Sequence, residues 1–447
     1  MAEMKDSGVA WINTIPKEWK LKKIKYALKN RNENNNPIRS KNILSLTAKQ
    51  GVIPLEEKEG GGNKPKEDYS AYKLAYPNDI VMNSMNVLSG SVGLSKYFGC
   101  VSPVYYMLRP IDGKDDVRYY NYIFQTTVFQ RSLLGLGNGI LMKESDNGKL
   151  NTIRMRIPLD KLGNLLIPVP DSSIQRKIAD YLDSIIPNID MILADIEKQI
   201  ETLEEYKKSI ITEAVTKGLD PDVEMKDSGI EWIGKIPKNW KTNKIKYLFT
   251  SGKGLSITKE NLIDEGLPVI SYGQIHAKTN SGVDINKDLL QFVSYEYQKR
   301  NPNCEVKKFD FIFADTSEDY EGCGNGVYKR DNSILFAGYH SIILRAINQK
   351  DNRYLAYLFL TDLWRKQIRE TASGVKVFSV TQKNLINSSI ILPPEDEQNE
   401  IANYLDVKCN KIDSIIVDKK KQLETLEQYK KSLIYEYVTG KKEVLND

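Results

Sequence analysis

The chain has 447 residues, 40% of them hydrophobic and 28% charged, with a net charge of +5. This length admits about three domains and this mixture excludes a disordered chain, while no apolar run approaches the roughly 20 residues a membrane span needs. The net charge, spread over such a length, is too small to argue for nucleic acid by itself.

The amino terminus, MAEMKDSG, is polar and carries no apolar signal core, and Cys100, Cys304, Cys323 and Cys409 form no CxxC pair. Both features predict a cytoplasmic protein whose reduced thiols are packing residues. The block from Met4 to Leu28 follows, MKDSGVAWINTIPKEWKLKKIKYAL, rich in lysine (Lys17, Lys20, Lys22, Lys23 and Lys25) and interleaved with Trp11, Trp19 and Tyr26. Two readings stand: a surface that meets a polyanion, or a solvated strand edge whose tryptophans pack inward. A glycine cluster at Gly60–Gly62 reads as a loop. DIVMNSM and SPVYYML read as strands, and the segment Tyr119 to Leu134 reads as helix.

The proline-rich IPVPDSS (Ile167 to Ser173) ends this mixed region and starts a helix. From Ile178 the apolar positions Leu182, Ile185, Ile189, Ile192, Ile196, Ile200, Leu203, Tyr206 and Ile210 alternate steps of three and four, the spacing of a coiled-coil seam. Pro187 lies inside this pattern and predicts a kink or break, because it removes a backbone donor.

Everything then recurs. MKDSGIEWIGKIPKNWKTNKIKYLF (Met225 to Phe249) repeats the opening block, with Lys235, Lys238, Lys241, Lys244 and Lys246 among Trp232, Trp240 and Tyr247. LPVISYGQI, DFIFAD and HSIILRA read as strands, Tyr354 to Arg369 as helix, and ILPPEDEQ (Ile391 to Gln398) as the next helix start. From Gln398 the long helical pattern returns as QNEIANYLDVKCNKIDSIIVDKKKQLETLEQYKKSLIYEYVT. Two amphipathic helices, each of about 40 residues and about 60 Å, are best buried against each other, antiparallel. The intervening regions, residues 30 to 165 and 251 to 388, share only a loose pattern.

Catalytic signatures are sparse. No GxxxxGK[ST] loop exists, and Gly440-Lys441-Lys442 lacks the hydroxyl residue. In PDVEMK (Pro221 to Lys226), Asp222 and Glu224 lie on one short segment, unlike the separated carboxylates of a metal-dependent nuclease. Gly322, Gly324 and Gly326 could cradle a phosphate or an adenosyl group, but without a strand-to-helix context they read as a tight turn. His276 and His340 are too far apart in sequence to imply a shared metal, and no Asn-Pro-Pro-aromatic tetrapeptide is present. A chain that binds and bridges without catalysing is the reading that remains.

The twofold pattern of variable region, LPP-type segment and long helix ending in ETLEEYKKS or ETLEQYKKS closely resembles the specificity subunit of type I restriction-modification systems. GVAWINTIPKEW, GIEWIGKIPKNW, NDIVMNSM, SPVYYMLRP, PVISYGQIH and GYHSIILR carry the likeness. It implies an α+β fold with a pseudo-twofold internal repeat: two mixed α/β target recognition domains separated by two long antiparallel coiled-coil helices. The expected segments are a first recognition domain at 1–170, a spacer helix at 171–218, a second domain at 219–390 and a second spacer helix at 391–447. It further implies a non-catalytic subunit that reads a bipartite, asymmetric double-stranded DNA target. Its partners would be two methyltransferase subunits, which methylate adenine at N6, and two restriction/translocase subunits, with S-adenosylmethionine, ATP and Mg held by those partners and no cofactor by this chain. Expected DNA contacts are Asn83, Ser84, Asn86 and Ser91 with Tyr105 in the first domain, and Tyr272, Gln274, His276, Thr316, Ser317, Lys376 and Ser379 in the second. Expected partner-binding positions lie on the seam: Ile185, Ile192, Leu203, Tyr206, Ile415, Leu426 and Tyr429.

Overall fold

A computed structural model describes residues 3–47, 50–58, 65–87, 90–137 and 156–444 of the chain. The Gly60–Gly62 cluster lies outside the described residues. The chain divides into two units, one comprising residues 1–197 and 421–447, the other residues 198–420. Both boundaries fall inside the long helices Ser172–Lys217 and Glu395–Val438, so each unit contains the start of one long helix and the end of the other.

The first unit is built on an antiparallel four-stranded sheet of β1 (Leu28–Arg31), β2 (Ile80–Asn83), β3 (Val92–Leu94) and β4 (Tyr105–Pro110), in the spatial order β1-β4-β2-β3. Helices α1 (Val117–Gln125) and α2 (Thr127–Ser132) follow. The second unit has β5 (Phe249–Lys253), β6 (Phe311–Ala314), β7 (Gly326–Tyr328) and β8 (Ser341–Ala346) in the order β5-β8-β6-β7, again antiparallel. Helices α3 (Arg353–Leu360) and α4 (Asp362–Thr371) follow it. The intervening regions, which align poorly as sequence, are thus one scaffold twice. A short apolar run between turn residues is enough for a central strand, so the sheet survives when the letters change.

Local devices repeat with it. Each helical segment expected as one piece is two helices, split where Thr126 and Thr361 cap the second helix by accepting from the amides of Phe129 and Trp364. Asp79 and Asp310 open the central strands, each buried, each accepting a backbone amide three residues upstream (Tyr76 and Lys307) and each paired with an arginine, Arg31 or Arg345. Burial raises both carboxyls above their usual range, against those hydrogen bonds and the arginine charge.

A second repeated device fastens sheet to helices. In the first unit Arg118 donates to Asp180 at 2.8 Å and Asp183 at 2.7 Å, and the Tyr122 hydroxyl donates to Asp183 at 2.6 Å. In the second, Arg353 donates to Asn403 at 2.9 Å and Asp406 at 2.7 Å, and the Tyr357 hydroxyl donates to Asp406 at 2.7 Å. These partners sit on the start of a long helix. The fully buried Tyr119 and Tyr354 hydroxyls reach the end of the other long helix, donating to the carbonyls of Val438 and Val215, each at 2.9 Å. One short helix per unit therefore grips both long helices, and the sequence conceals this because only Arg, Tyr and Tyr at fixed offsets carry it.

Within each unit the long-helix segments pack antiparallel and are tied by an equivalent pair, Lys430 to Asp190 in the first and Lys207 to Asp413 at 2.7 Å in the second. Such part-exposed pairs are worth about 0–1 kcal/mol and fix register more than stability. Lys207→Ala is expected to cost less than about 1 kcal/mol in urea denaturation; a larger loss would make the pair a principal stabiliser. Ile178, Leu182, Ile186, Ile189 and Ile196 are buried on the first helix, and Ile401, Leu405, Cys409, Ile412 and Ile416 on the second. Ile192, Tyr206, Ile415 and Tyr429, expected in the seam, instead face outward, because domain packing rotates the buried stripe onto positions such as Ile186 and Cys409. Pro187, where a kink or break is expected, does not end the helix, which runs from Ser172 to Lys217 with Ile186 and Ile189 buried beside it. One missing hydrogen bond is offset by packing on both sides.

The tryptophan question resolves inward. Trp11, Trp19 and Trp240 are core residues, while Tyr26 and Tyr247 are each 64% exposed, with Lys25 and Lys246 over their rings. All four cysteines are free and buried. No helix among the described residues is long and apolar enough to cross a membrane.

Candidate nucleic-acid interface

In the first unit Asn83, Ser84, Asn86 and Ser91 lie at the connection from β2 to β3; in the second only Thr316 and Ser317 lie on the equivalent connection from β6 to β7, and Tyr272, Gln274, His276, Lys376 and Ser379 come from segments before β6 and after α4. In the first, the Asn83 amide donates to the Ser91 carbonyl at 3.0 Å, and the Asn83 side chain accepts from the Met85 amide at 3.0 Å, forming an Asx turn. Ser84 is fully buried and its hydroxyl donates to the Val104 carbonyl at 2.7 Å, so it supports the turn and does not face a ligand. Asn86 accepts the Ser91 amide through its carbonyl. Tyr105 stands opposite Asn83 across the sheet, and burial raises its hydroxyl above the usual phenol range.

The second unit gathers a denser group. LPVISYGQI is a strand only to Ile270; Ser271 and Gln274 then form a capping box around the helical turn Tyr272–Ile275. The S-x-x-Q spacing carries that signal. The turn places His276 so that Nε2 lies 2.9 Å from the Thr316 carbonyl and Nδ1 lies 2.9 Å from the Asn325 amide nitrogen. With Asn325 donating to Nδ1, His276 is the tautomer that donates from Nε2. Tyr272 packs edge-on against His276, Tyr339 and His340. Thr316 donates to Asp315 at 2.7 Å, and His340 Nδ1 lies 3.2 Å from the same carboxylate. His340 has a φ of +52°, a left-handed conformation uncommon outside glycine, and its ring stands at the exposed rim.

Ser317 is buried, its hydroxyl accepting from the Asp319 amide, and serves as support. Ser379 is exposed and pairs with Thr316 across a short two-stranded ribbon, Thr316–Ser317 with Phe378–Ser379. Lys376 is exposed on the loop that enters this ribbon. The Gly322–Gly326 run is the tight turn expected: a Cβ on Gly322 would meet Ser317 Oγ at 2.4 Å, and Gly324 has a φ of +91°. Arg369 staples this turn through the Glu321 carbonyl and carboxylate, at 2.9 and 3.0 Å. Beside it, burial and then the Arg369 charge push the Arg365 guanidinium down to about 10.

The sequence reading brought Tyr272, Gln274, His276, Thr316 and Ser379 into one group and missed Asp315, Asn325, Tyr339 and His340. Only the chain reversal from β6 to β7 and the entry to β8 unite them. Among the described residues no group of three His, Cys, Asp or Glu side chains is placed to hold a metal. The rim offers hydrogen-bond donors and acceptors with aromatic faces, and acids at Asp315, Glu318 and Asp319 repel phosphates while suiting amino groups on base edges.

Residues 237–425 match the family model of the type I restriction modification DNA specificity domain. The chain is 26% identical over 291 residues to the type I restriction enzyme MjaVIII specificity subunit of Methanocaldococcus jannaschii, covering 63% of each chain. It is 23% identical over 215 residues to the type I restriction enzyme EcoKI specificity subunit of Escherichia coli K12, covering 46% of this chain and 44% of the relative. The chain thus aligns with about 63% of the length of the first of these curated relatives. Among solved structures, it shares its fold with a chain from a study of complex assembly and conformational transition of the type I R-M system, at a TM-score of 0.68 and 13% identity, covering 95% and 98% of the two chains. The HsdS subunit of Thermoanaerobacter tengcongensis follows at a TM-score of 0.50 and 14% identity, covering 96% of this chain and 98% of that one. With its duplicated scaffold, its domain match over residues 237–425 and these relatives, the chain is similar to the type I restriction-modification specificity subunits.

Proposed function

We propose that this chain is a non-catalytic DNA reader whose two units each recognise one half of a split, asymmetric target. The observation that supports this most is one sheet built twice with unlike chemistry beside the equivalent connections: an Asn/Ser turn in the first unit, and in the second a rim that Tyr272, His276 and His340 build around Thr316. Like scaffolds with unlike rims suit two different half-sites. The outward Ile192 and Tyr206, with their counterparts Ile415 and Tyr429, are apolar positions repeated on the long helices. They suit two copies of one methyltransferase partner, and with it the two restriction/translocase subunits of a complete assembly. S-adenosylmethionine, ATP and Mg belong to those partners in this reading, and the assembly works in the cytoplasm.

The test is a genome-wide map of N6-methyladenine in cells carrying the chain and its methyltransferase, against cells lacking only this chain. A split asymmetric motif that disappears without the chain is expected. An unchanged map, with methyltransferase activity verified, would remove DNA reading from the account. Exchanging residues 251–388 for those of a relative is expected to change one half-site and leave the other intact; a change in both would refute independent readers.

A further inference from the structure

The loop that enters the short ribbon of the second unit carries a feature that hydrogen bonding to bases does not explain. Ser373 and Ser379 close it with reciprocal backbone bonds, Ser373 N–H to the Ser379 carbonyl at 3.2 Å and Ser379 N–H to the Ser373 carbonyl at 2.7 Å. Gly374 has a φ of +132°, and a Cβ there would lie 1.9 Å from the Val377 carbonyl oxygen, so the backbone turns as sharply as the chain allows. Phe378 anchors the base edge-on against Tyr320 at 5.6 Å. At the tip, Val375 is 92% exposed, with Val377 half exposed and Lys376 beside it.

A turn of this kind ordinarily carries polar residues, and a β-branched apolar side chain held fully in water gains nothing for the fold. Valine has few χ1 states, so it loses little freedom when a ligand covers it. The loop shares its ribbon with Thr316 and hence stands beside the polar rim. Base edges in the major groove present one apolar group, the 5-methyl of thymine. We infer that Val375 is a specificity-determining residue of the second unit that contacts a thymine methyl in its half-site, while Lys376 meets the adjoining backbone. The inference rests on the DNA-reading function proposed above.

The experiment measures binding of the full chain, purified with its methyltransferase, to a duplex carrying the mapped motif, with each thymine of the second unit's half-site replaced in turn by deoxyuridine, which removes only the methyl. One replacement is expected to weaken wild-type binding roughly fourfold, about the worth of one buried methyl group. Val375→Ser is expected to lose the same factor on the thymine duplex and to be indifferent to that replacement, with an unchanged melting temperature. The inference is overturned if no single replacement weakens the wild type by more than about twofold, if the half-site holds no thymine, or if Val375→Ser remains sensitive to the methyl. A wedge inserted between bases would give the last result, because it responds to step flexibility and not to the methyl. In each of these cases a wild type that still prefers its motif over scrambled DNA leaves the reading function standing; a wild type with no such preference removes both.

Discussion

Replacing Asp406 by alanine is expected to destabilise the second unit by about 2 kcal/mol, because this carboxylate is partly buried and its loss falls below the roughly 3–5 kcal/mol of a fully buried ion pair. This carboxylate receives Tyr357 and Arg353, each at 2.7 Å, and Arg330 at 2.8 Å. Alanine would remove the partner of Arg330 and of the Tyr357 phenol at the junction of α3 with the second long helix, while Arg353 keeps Asp351 and Asn403. The pH dependence follows from the direction of its shift. Burial acts to raise the Asp406 carboxyl, but the hydrogen bonds from Tyr357, Arg353 and Arg330 outweigh it and hold the group below the usual carboxylate range. A carboxyl lowered in the folded state contributes stability that is fully present above its unfolded value near 4 and is lost as pH falls through the folded value. The gap between wild type and Asp406→Ala in urea denaturation should therefore narrow from about pH 7 towards pH 2. A gap that widened at acid pH would show that the group does not act as an ionised acceptor. Asp183→Ala is expected to cost less in the first unit, because Asp183 is exposed and Arg118 keeps Asp116 and Asp180.

The second large effect lies in the aromatic core beneath the candidate interface. Phe311 is almost fully buried on β6, with ring centroids 4.8 Å from Tyr328, 5.0 Å from Phe359 and 5.6 Å from Phe249. Phe311→Ala removes a ring that three elements enclose, and rigid surroundings of this kind cannot collapse onto the space. A loss of about 4 kcal/mol is expected, a fall in melting temperature on the order of 10 °C. Phe311→Leu, which keeps most of the volume, is expected to cost less than half of that. Equal losses for both variants would mean that ring geometry, not volume, decides the packing. Calorimetry of the full chain distinguishes the two outcomes.

The repeat, the long helices and the four free thiols were legible as sequence because they depend on local rules. Heptad spacing, proline punctuation and the recurrence of MKDSG and ETLE blocks need no knowledge of distant residues. The strands of DIVMNSM and DFIFAD were legible for the same reason, since a short apolar run between turn residues specifies a strand buried on both faces. The outward turn of Ile192 and Tyr206 was not legible: heptad spacing marks every apolar position, and only the domain packed against the helix selects which are covered. At Pro187 the local cost was legible, but not that tertiary contacts on either side keep the helix whole.

At the interface the sequence supplied residue types and the fold supplied their company. Asn83 and Ser84 looked like exposed polar residues, yet the turn consumes their hydrogen bonds, which composition cannot disclose. His276 and His340 are separated in sequence, and only the sheet brings both against Tyr272. Sequence by itself determined that the chain is one unit written twice, with two long helices and two differing inserts. Tertiary structure alone decided that the inserts are the same sheet, that one arginine and two tyrosines per unit clamp both helices, and which loop side chains remain free. Local propensity depends on neighbours a few residues apart, whereas burial and side-chain company depend on contacts spanning a hundred residues or more, such as Tyr119 with Val438.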